Sequence, residues 1–172
     1  VSHTGAIVGK GARTREQVIE QAAALFNQHG YHGVSISDVM AATGLEKGGI
    51  YRHFSSKEEL ALEAFAFAVD KMRERFDTAL AEADTALARL RAIIAVYARI
   101  PSDPPVPGGC PILNAAVESD DGNPELKAEA QRVLSELKRA LRTIVRQGQE
   151  AGELRRDLDL EAFANVFVAQ LE

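Results

Sequence analysis

The chain has 172 residues, 46% of them hydrophobic and 26% charged, with a formal net charge of −5. That balance belongs to a globular protein with enough chain for one large domain or two small ones. It excludes a membrane-spanning helix, because no stretch approaches the ~18 uninterrupted apolar residues that a span needs. It also excludes an internal disulfide, because Cys110 is the only cysteine.

Residues 1–12 are rich in small residues and lack periodicity, so they read as a flexible arm. A basic-then-apolar leader pattern is missing, and with the lone thiol this fits a reducing cytoplasm. Thr14 and Gln17 have capping-box spacing, and Val18, Ala22, Leu25 and Phe26 then form an apolar stripe that ends at Gly30. Two short helices follow. The first opens on a Ser35–Asp38 capping box, with Val34 and Val39 as a staple, and ends at Gly44. The second contains Lys47-Gly48-Gly49-Ile50-Tyr51-Arg52-His53-Phe54. Two glycines inside a helix cost ~1 kcal/mol each relative to alanine, so this backbone is expected to lie close to something else.

Ser55 or Ser56 caps a long helix running to about Ala81, and a further amphipathic helix covers about Thr85–Ile100. Pro101, Pro104, Pro105, Pro107 and Pro111 then exclude regular helix. A short apolar helix spans Ile112–Glu118, Asn123-Pro124 opens a long one, and Asp159 caps the last. No segment has strand periodicity. The expected fold is all-α: an N-terminal three-helix unit over 13–56 and a helical bundle over 57–172.

Two short helices joined by a tight glycine-containing turn describe a helix-turn-helix, whose second helix enters the major groove. Lys47 supplies charge at the start of that helix, and Tyr51 and His53 reach phosphate oxygens. Lys57 adds a cation where a helix N-terminus also favours anions. The charge distribution agrees in sign: residues 1–57 carry six basic against four acidic side chains, and residues 58–172 carry 14 against 21. DNA affinity follows local positive charge near phosphates, not the whole-chain sum.

Residues 14–65 resemble the DNA-binding domain of the tetracycline-repressor (TetR) family. The resemblance rests on Thr14-Arg15-Glu16, Ala24-Leu25-Phe26 through Gly30-Tyr31, Val34 to Val39, and above all the run from Thr43 to Leu60. It implies groove-facing Lys47, Gly48, Gly49 and Tyr51, with His53, Lys57 and the Ser35 cap region on the DNA backbone. It implies a ligand-responsive repressor that binds a palindromic double-stranded operator as a homodimer through about 124–150 and 159–172. Gly49 stands where many members carry a polar residue able to read a base edge. That departure shifts weight to Lys47, Arg52 and DNA shape.

A small-molecule effector pocket is expected between the middle helices, lined by Phe65, Met72, Phe76, Tyr97, Cys110, Leu113 and Asn114. Each apolar member has a plain core reading as well, and Cys110 reads as a pocket-wall thiol ahead of a redox sensor. Asn114, if buried, needs a hydrogen-bond partner. Arg13 and Arg15 suit either a minor-groove path or a solvated helix start. His29 and His32 read as loop histidines, so no metal or other cofactor is expected. Gly5 to Gly11 falls short of a phosphate loop in spacing and lacks the hydroxyl residue. With no nucleophile elbow or zinc helix, an enzyme is disfavoured. A ligand-binding or protein-interaction module with a vestigial helix-turn-helix is the other reading.

Overall fold

The computed structural model describes residues 9–118 and 123–171, and no β-strand occurs among them. The helices are α1 (Lys10–Gly33), α2 (Ile36–Thr43), α3 (Lys47–Tyr51), α4 (Lys57–Leu80), α5 (Ala86–Arg99), α6 (Pro111–Glu118), α7 (Pro124–Glu150) and α8 (Leu160–Leu171).

Helix α1 starts four residues before the expected Thr14 cap. Gly9 holds the N-cap position, and the Thr14 hydroxyl donates to the Lys10 carbonyl at 3.0 Å. A threonine that bonds back four residues sits comfortably inside a helix instead of opening one. Of the arm expected over 1–12, residues 10–12 therefore belong to α1, and residues 1–8 lie outside the described residues. At Gly30 the chain leaves helical geometry (φ 76°, ψ 166°), which only glycine adopts without strain, and then resumes helix to Gly33.

The other caps follow the sequence closely. Ser56 accepts from the Glu59 N–H, Thr85 from Ala88, and Asn123 from Glu125 and Leu126; Pro124 sits at the first helical position. Asp159 accepts from Glu161 and Ala162 at 2.8 and 2.9 Å.

Three apolar clusters hold the helices together. The N-terminal one joins Val18, Ala22, Val34, Val39, Ile50, Phe54 and Leu60. It also takes in Val106, contributed from the proline-rich loop between α5 and α6. A middle cluster joins Phe65 and Val69 of α4 to Ile112 and Ala115 of α6 and Leu126, Ala130 and Val133 of α7. The third packs Leu90 and Ile93 of α5 against Leu141, Ile144 and Val145 of α7 and Ala164 and Val168 of α8. Helix α4 runs through all three and ties the two halves into one chain of contacts.

In the rear core, packing leaves no room for a side chain at Gly148. A Cβ there would meet the Ala86 Cβ at 2.6 Å and the Leu154 side chain at 2.7 Å. Gly148→Val is expected to cost about 1–3 kcal/mol by overpacking. Thermal unfolding should register this as a lower Tm, and an unchanged Tm would mean that α5 and α7 part freely.

Candidate nucleic-acid interface

The interface begins at the α2 cap. The Ser35 N–H donates to Asp38 Oδ2 at 2.7 Å, while the Asp38 N–H donates to the Ser35 hydroxyl at 3.2 Å. Both halves of the capping box are made. The Ser35 hydroxyl and N–H together hold the Asp38 carboxyl below its ordinary range. The Ser35 side chain is thus committed to the cap, leaving the exposed cap region as the surface it presents.

Helix α2 ends at Gly44, which is left-handed (φ 70°) and donates its N–H to the Met40 carbonyl at 2.9 Å. After two intervening residues, α3 begins at Lys47. Val39 and Ile50, 0% and 1% exposed, pin the two helices to the core from the same side. The opposite side of α3 therefore faces solvent. Lys47, Gly48, Tyr51 and Arg52 are exposed there, and Gly49 and His53 are half-buried. The Lys47 ammonium lies 5.8 Å from the Tyr51 ring centre, a loose cation–π pair.

Neither glycine of α3 is required by internal packing. A Cβ on Gly48 would have nothing within 4 Å, and one on Gly49 would make ordinary contact with Leu45 at 3.5 Å. Neither residue has positive φ.

Phe54 closes the unit. Its ring is 2% exposed, stands edge-on to His53, and lies 4.9 Å beneath the Arg15 guanidinium. Arg15 also pairs with Glu63 of α4. Of the two arginines with an open minor-groove reading, Arg15 is engaged inside the domain, whereas Arg13 is exposed. Arg15 clamps α1 to α4 across the residue that ends the recognition segment.

The start of α4 is doubly fastened. The Glu59 carboxylate accepts the Ser55 N–H at 2.6 Å as well as the Ser55 hydroxyl, and these bonds hold its pKa down. Lys57 places its ammonium 4.1 Å from the Tyr31 ring centre. The Tyr31 hydroxyl donates to Glu58 at 2.7 Å, and burial together with that carboxylate pushes its pKa up to about 12. Lys57 is thus oriented by an aromatic face at the junction of α1 and α4.

The residues expected to line one pocket fall in several places. Phe65 and Asn114 border a cavity of about 40 Å³ between α1, α4, α6 and α7, beside Phe26, Asn27, Tyr31 and several alanines. Tyr97, Cys110 and Leu113 line a second cavity, of about 30 Å³, with Ile112, Leu134, Leu137, Val168 and Leu171. Phe76 packs on Tyr97 at 5.5 Å between ring centres, and Met72, 1% exposed, lines neither cavity. Helix α6 separates the two spaces, which is why residues close in sequence part company. Asn114 donates to the backbone and side-chain oxygens of Asn27, both at 2.9 Å. Sequence reasoning missed Asn27, although a polar residue four positions after buried Ala23 was a usable sign.

Among the described residues, no group of three or more His, Cys, Asp or Glu side chains is placed to hold a metal. No helix among them is long and apolar enough to cross a membrane.

A short helix pair with one face pinned and the other cationic and side-chain-poor defines a helix-turn-helix DNA-binding protein. The comparisons agree. Residues 18–64 match the family model for bacterial regulatory proteins of the tetR family, and residues 86–172 match that for the tetracyclin repressor-like C-terminal domain. A TetR transcriptional regulator from Chloroflexus aurantiacus J-10-FL is 50% identical, with a TM-score of 0.91 over 94% of this chain and 82% of that one. The HTH-type transcriptional repressor DhaR of Mycobacterium sp. (strain GP1) is 27% identical over 92% of this chain and 79% of its own. The TetR family regulator CifR, in a cysteine-substituted form complexed with 26-base-pair double-strand operator DNA, is 26% identical. Its TM-score is 0.74, over 91% of this chain and 81% of that one. The chain belongs to the TetR family of transcriptional regulators.

Proposed function

We propose that the chain is a cytoplasmic repressor that binds a palindromic operator as a homodimer and is released by a small-molecule effector. The observation that carries the DNA half is the outward face of α3, where Lys47 and Tyr51 flank two glycines that internal packing does not require. In this reading Gly48 and Gly49 let the helix backbone approach the DNA closely. Lys47 and Arg52 supply charge, Tyr51 and His53 reach phosphates, and Lys57 and the Ser35 cap region meet the backbone on either side. With Gly49 offering no side chain to a base edge, Lys47, Arg52 and groove shape carry more of the sequence preference.

The homodimer would form through about 124–150 and 159–172, where α8 leaves Val166 62% exposed. The effector would enter the apolar space lined by Tyr97, Cys110 and Leu113, and would release DNA through its differential affinity for two states.

Selection from random duplexes tests this reading: an enriched palindrome supports the regulator, and no enrichment supports a module whose helix-turn-helix is vestigial. The double variant Lys47→Ala with Tyr51→Ala should bind the enriched site about 10- to 100-fold more weakly, at ~1–3 kcal/mol for such contacts. Wild-type affinity should fall steeply between low and moderate salt, and a flat response would sink phosphate-driven binding.

A further inference from the structure

We propose that Asn27 and Asn114 form a polar latch that sets the angle of the DNA-binding domain on the helical bundle, and with it the operator spacing the protein accepts. The dimeric half of this inference rests on the reading just given; the latch itself rests on geometry.

The loop between α5 and α6 is rich in proline, and proline brings carbonyls without N–H groups. Those carbonyls must find donors elsewhere. Two amide side chains supply them. Asn27, buried in α1, has its Nδ2 2.9 Å from the Pro107 oxygen, 3.1 Å from that of Gly109 and 3.4 Å from that of Val106. Asn114 of α6 has its Nδ2 2.9 Å from the Gly108 oxygen and 2.9 Å from both the backbone and side-chain oxygens of Asn27, so its two N–H groups are shared among three acceptors. Four consecutive carbonyls thus converge on one pair of amides.

Gly108 makes the approach possible. Its φ is 110°, and a Cβ there would lie 2.4 Å from the Asn27 carbonyl oxygen. Beside the amides, Val106, 3% exposed, plugs into the core of the DNA-binding domain. The polar pair and the apolar plug are independent anchors at one place.

The mechanical consequence follows from counting connections. Without the latch, α4 would join the two halves as a rod steadied only by Tyr31 of α1 against the middle cluster, about which the small domain can swing. A second anchor, 27 against 106–114, removes that freedom. In a dimer the angle so fixed determines the distance between the two α3 helices, and hence the half-site spacing. The latch also adjoins the rear cavity: Cys110 and Leu113 line that space, while their chain neighbours Gly109 and Asn114 hold Asn27. An occupant there shifts α6 and strains the latch directly.

The test uses the full chain in a Cys110→Ser background with spin labels at two exposed sites, A41C on α2 and A95C on α5. Asn27→Asp keeps size and acceptors but presents a carboxylate to the carbonyls; Asn114→Ala is the milder second variant. Diluted with excess unlabelled chain, so that a dimer carries one labelled protomer, the wild type should give one narrow interlabel distance distribution, and both folded variants a broader one. Operator duplexes with the central spacer changed by one base pair give the functional readout. The wild type should discriminate against them about tenfold or more, given ~1–3 kcal/mol per faulty contact, and the variants only about threefold or less. An unchanged distance distribution in folded variants overturns the latch whatever the DNA result. A broadened distribution with wild-type spacing discrimination overturns its role in operator choice, because loss of stability alone lowers affinity at all spacings alike. If the wild type enriches no palindrome, the dimeric regulator reading fails, and the latch still stands or falls on the distances.

Discussion

Replacing Gly48 with alanine is expected to stabilise the free chain and weaken its hold on operator DNA. The first effect follows from helix energetics. Gly48 lies within α3, lacks positive φ, and would carry a Cβ into open space. Alanine there should therefore gain about 0.5–1 kcal/mol, because glycine loses more chain entropy on folding. At ~2–4 °C per kcal/mol for a chain of this size, Tm rises by a few degrees at most. The second effect follows from distance. If the α3 backbone lies against phosphate, a methyl group holds it off by more than a hydrogen bond tolerates. Losing one charge-assisted backbone bond costs about 1.5–3 kcal/mol, roughly 10- to 100-fold in Kd. A single methyl thus moves stability and affinity in opposite directions. Measuring Tm beside Kd for the selected operator decides the matter. An alanine variant that melts higher and binds equally well would mean that Gly48 does not face DNA.

The same substitution at Gly49 should behave differently. Its Cβ would meet Leu45 at 3.5 Å, an ordinary contact, so folding tolerates it. Gly49 is half-buried at the edge of the exposed strip, so a methyl there should change base preference more than affinity.

Helices α2 and α3 were legible because local chemistry decides them. Ser35, Asp38 and Gly44 are capping residues whose partners lie within a few positions, and Val39 and Ile50 carry the buried side. The exposed face of α3 follows by subtraction. Arg15 was half legible: its charge invited a DNA role, but its actual partners, Glu63 and the Phe54 ring, lie dozens of residues away. Long-range pairing of this kind leaves no periodic trace. The effector pocket was least legible. Phe65, Met72, Phe76, Tyr97, Cys110, Leu113 and Asn114 are mostly apolar residues on α4, α5, α6 and the loop before α6, and sequence spacing cannot say on which side of α6 each one falls. The need of Asn114 for a partner was visible, but the identity of that partner, Asn27, depends on how the proline-rich loop docks on α1.

Truncating Phe54 to alanine should abolish DNA binding while leaving the rear bundle folded. Phe54 is 2% exposed and belongs to the N-terminal cluster, and its ring carries the Arg15 guanidinium. Removing a buried phenylalanine costs about 3–5 kcal/mol. Where whole domains are stable by only about 5–15 kcal/mol, a small three-helix unit cannot absorb that loss. The rear core is built from other residues, Leu90, Leu141, Val145 and Val168 among them, and none of these touches the N-terminal cluster. Helix α4 links the two, so its first turns should loosen with the DNA-binding domain while its later turns hold. Amide hydrogen exchange read segment by segment gives the measurement. Protection over α2, α3 and the start of α4 should fall by about 100-fold or more, at ~1.4 kcal/mol per tenfold. Protection over α7 should stay within a few-fold. Leu141→Ala, at a 0% exposed position of the rear core, should produce the opposite pattern. If both variants open both halves equally, the chain unfolds as one cooperative unit. An angle between two separately stable bodies would then be the wrong description of how an effector signal reaches α3.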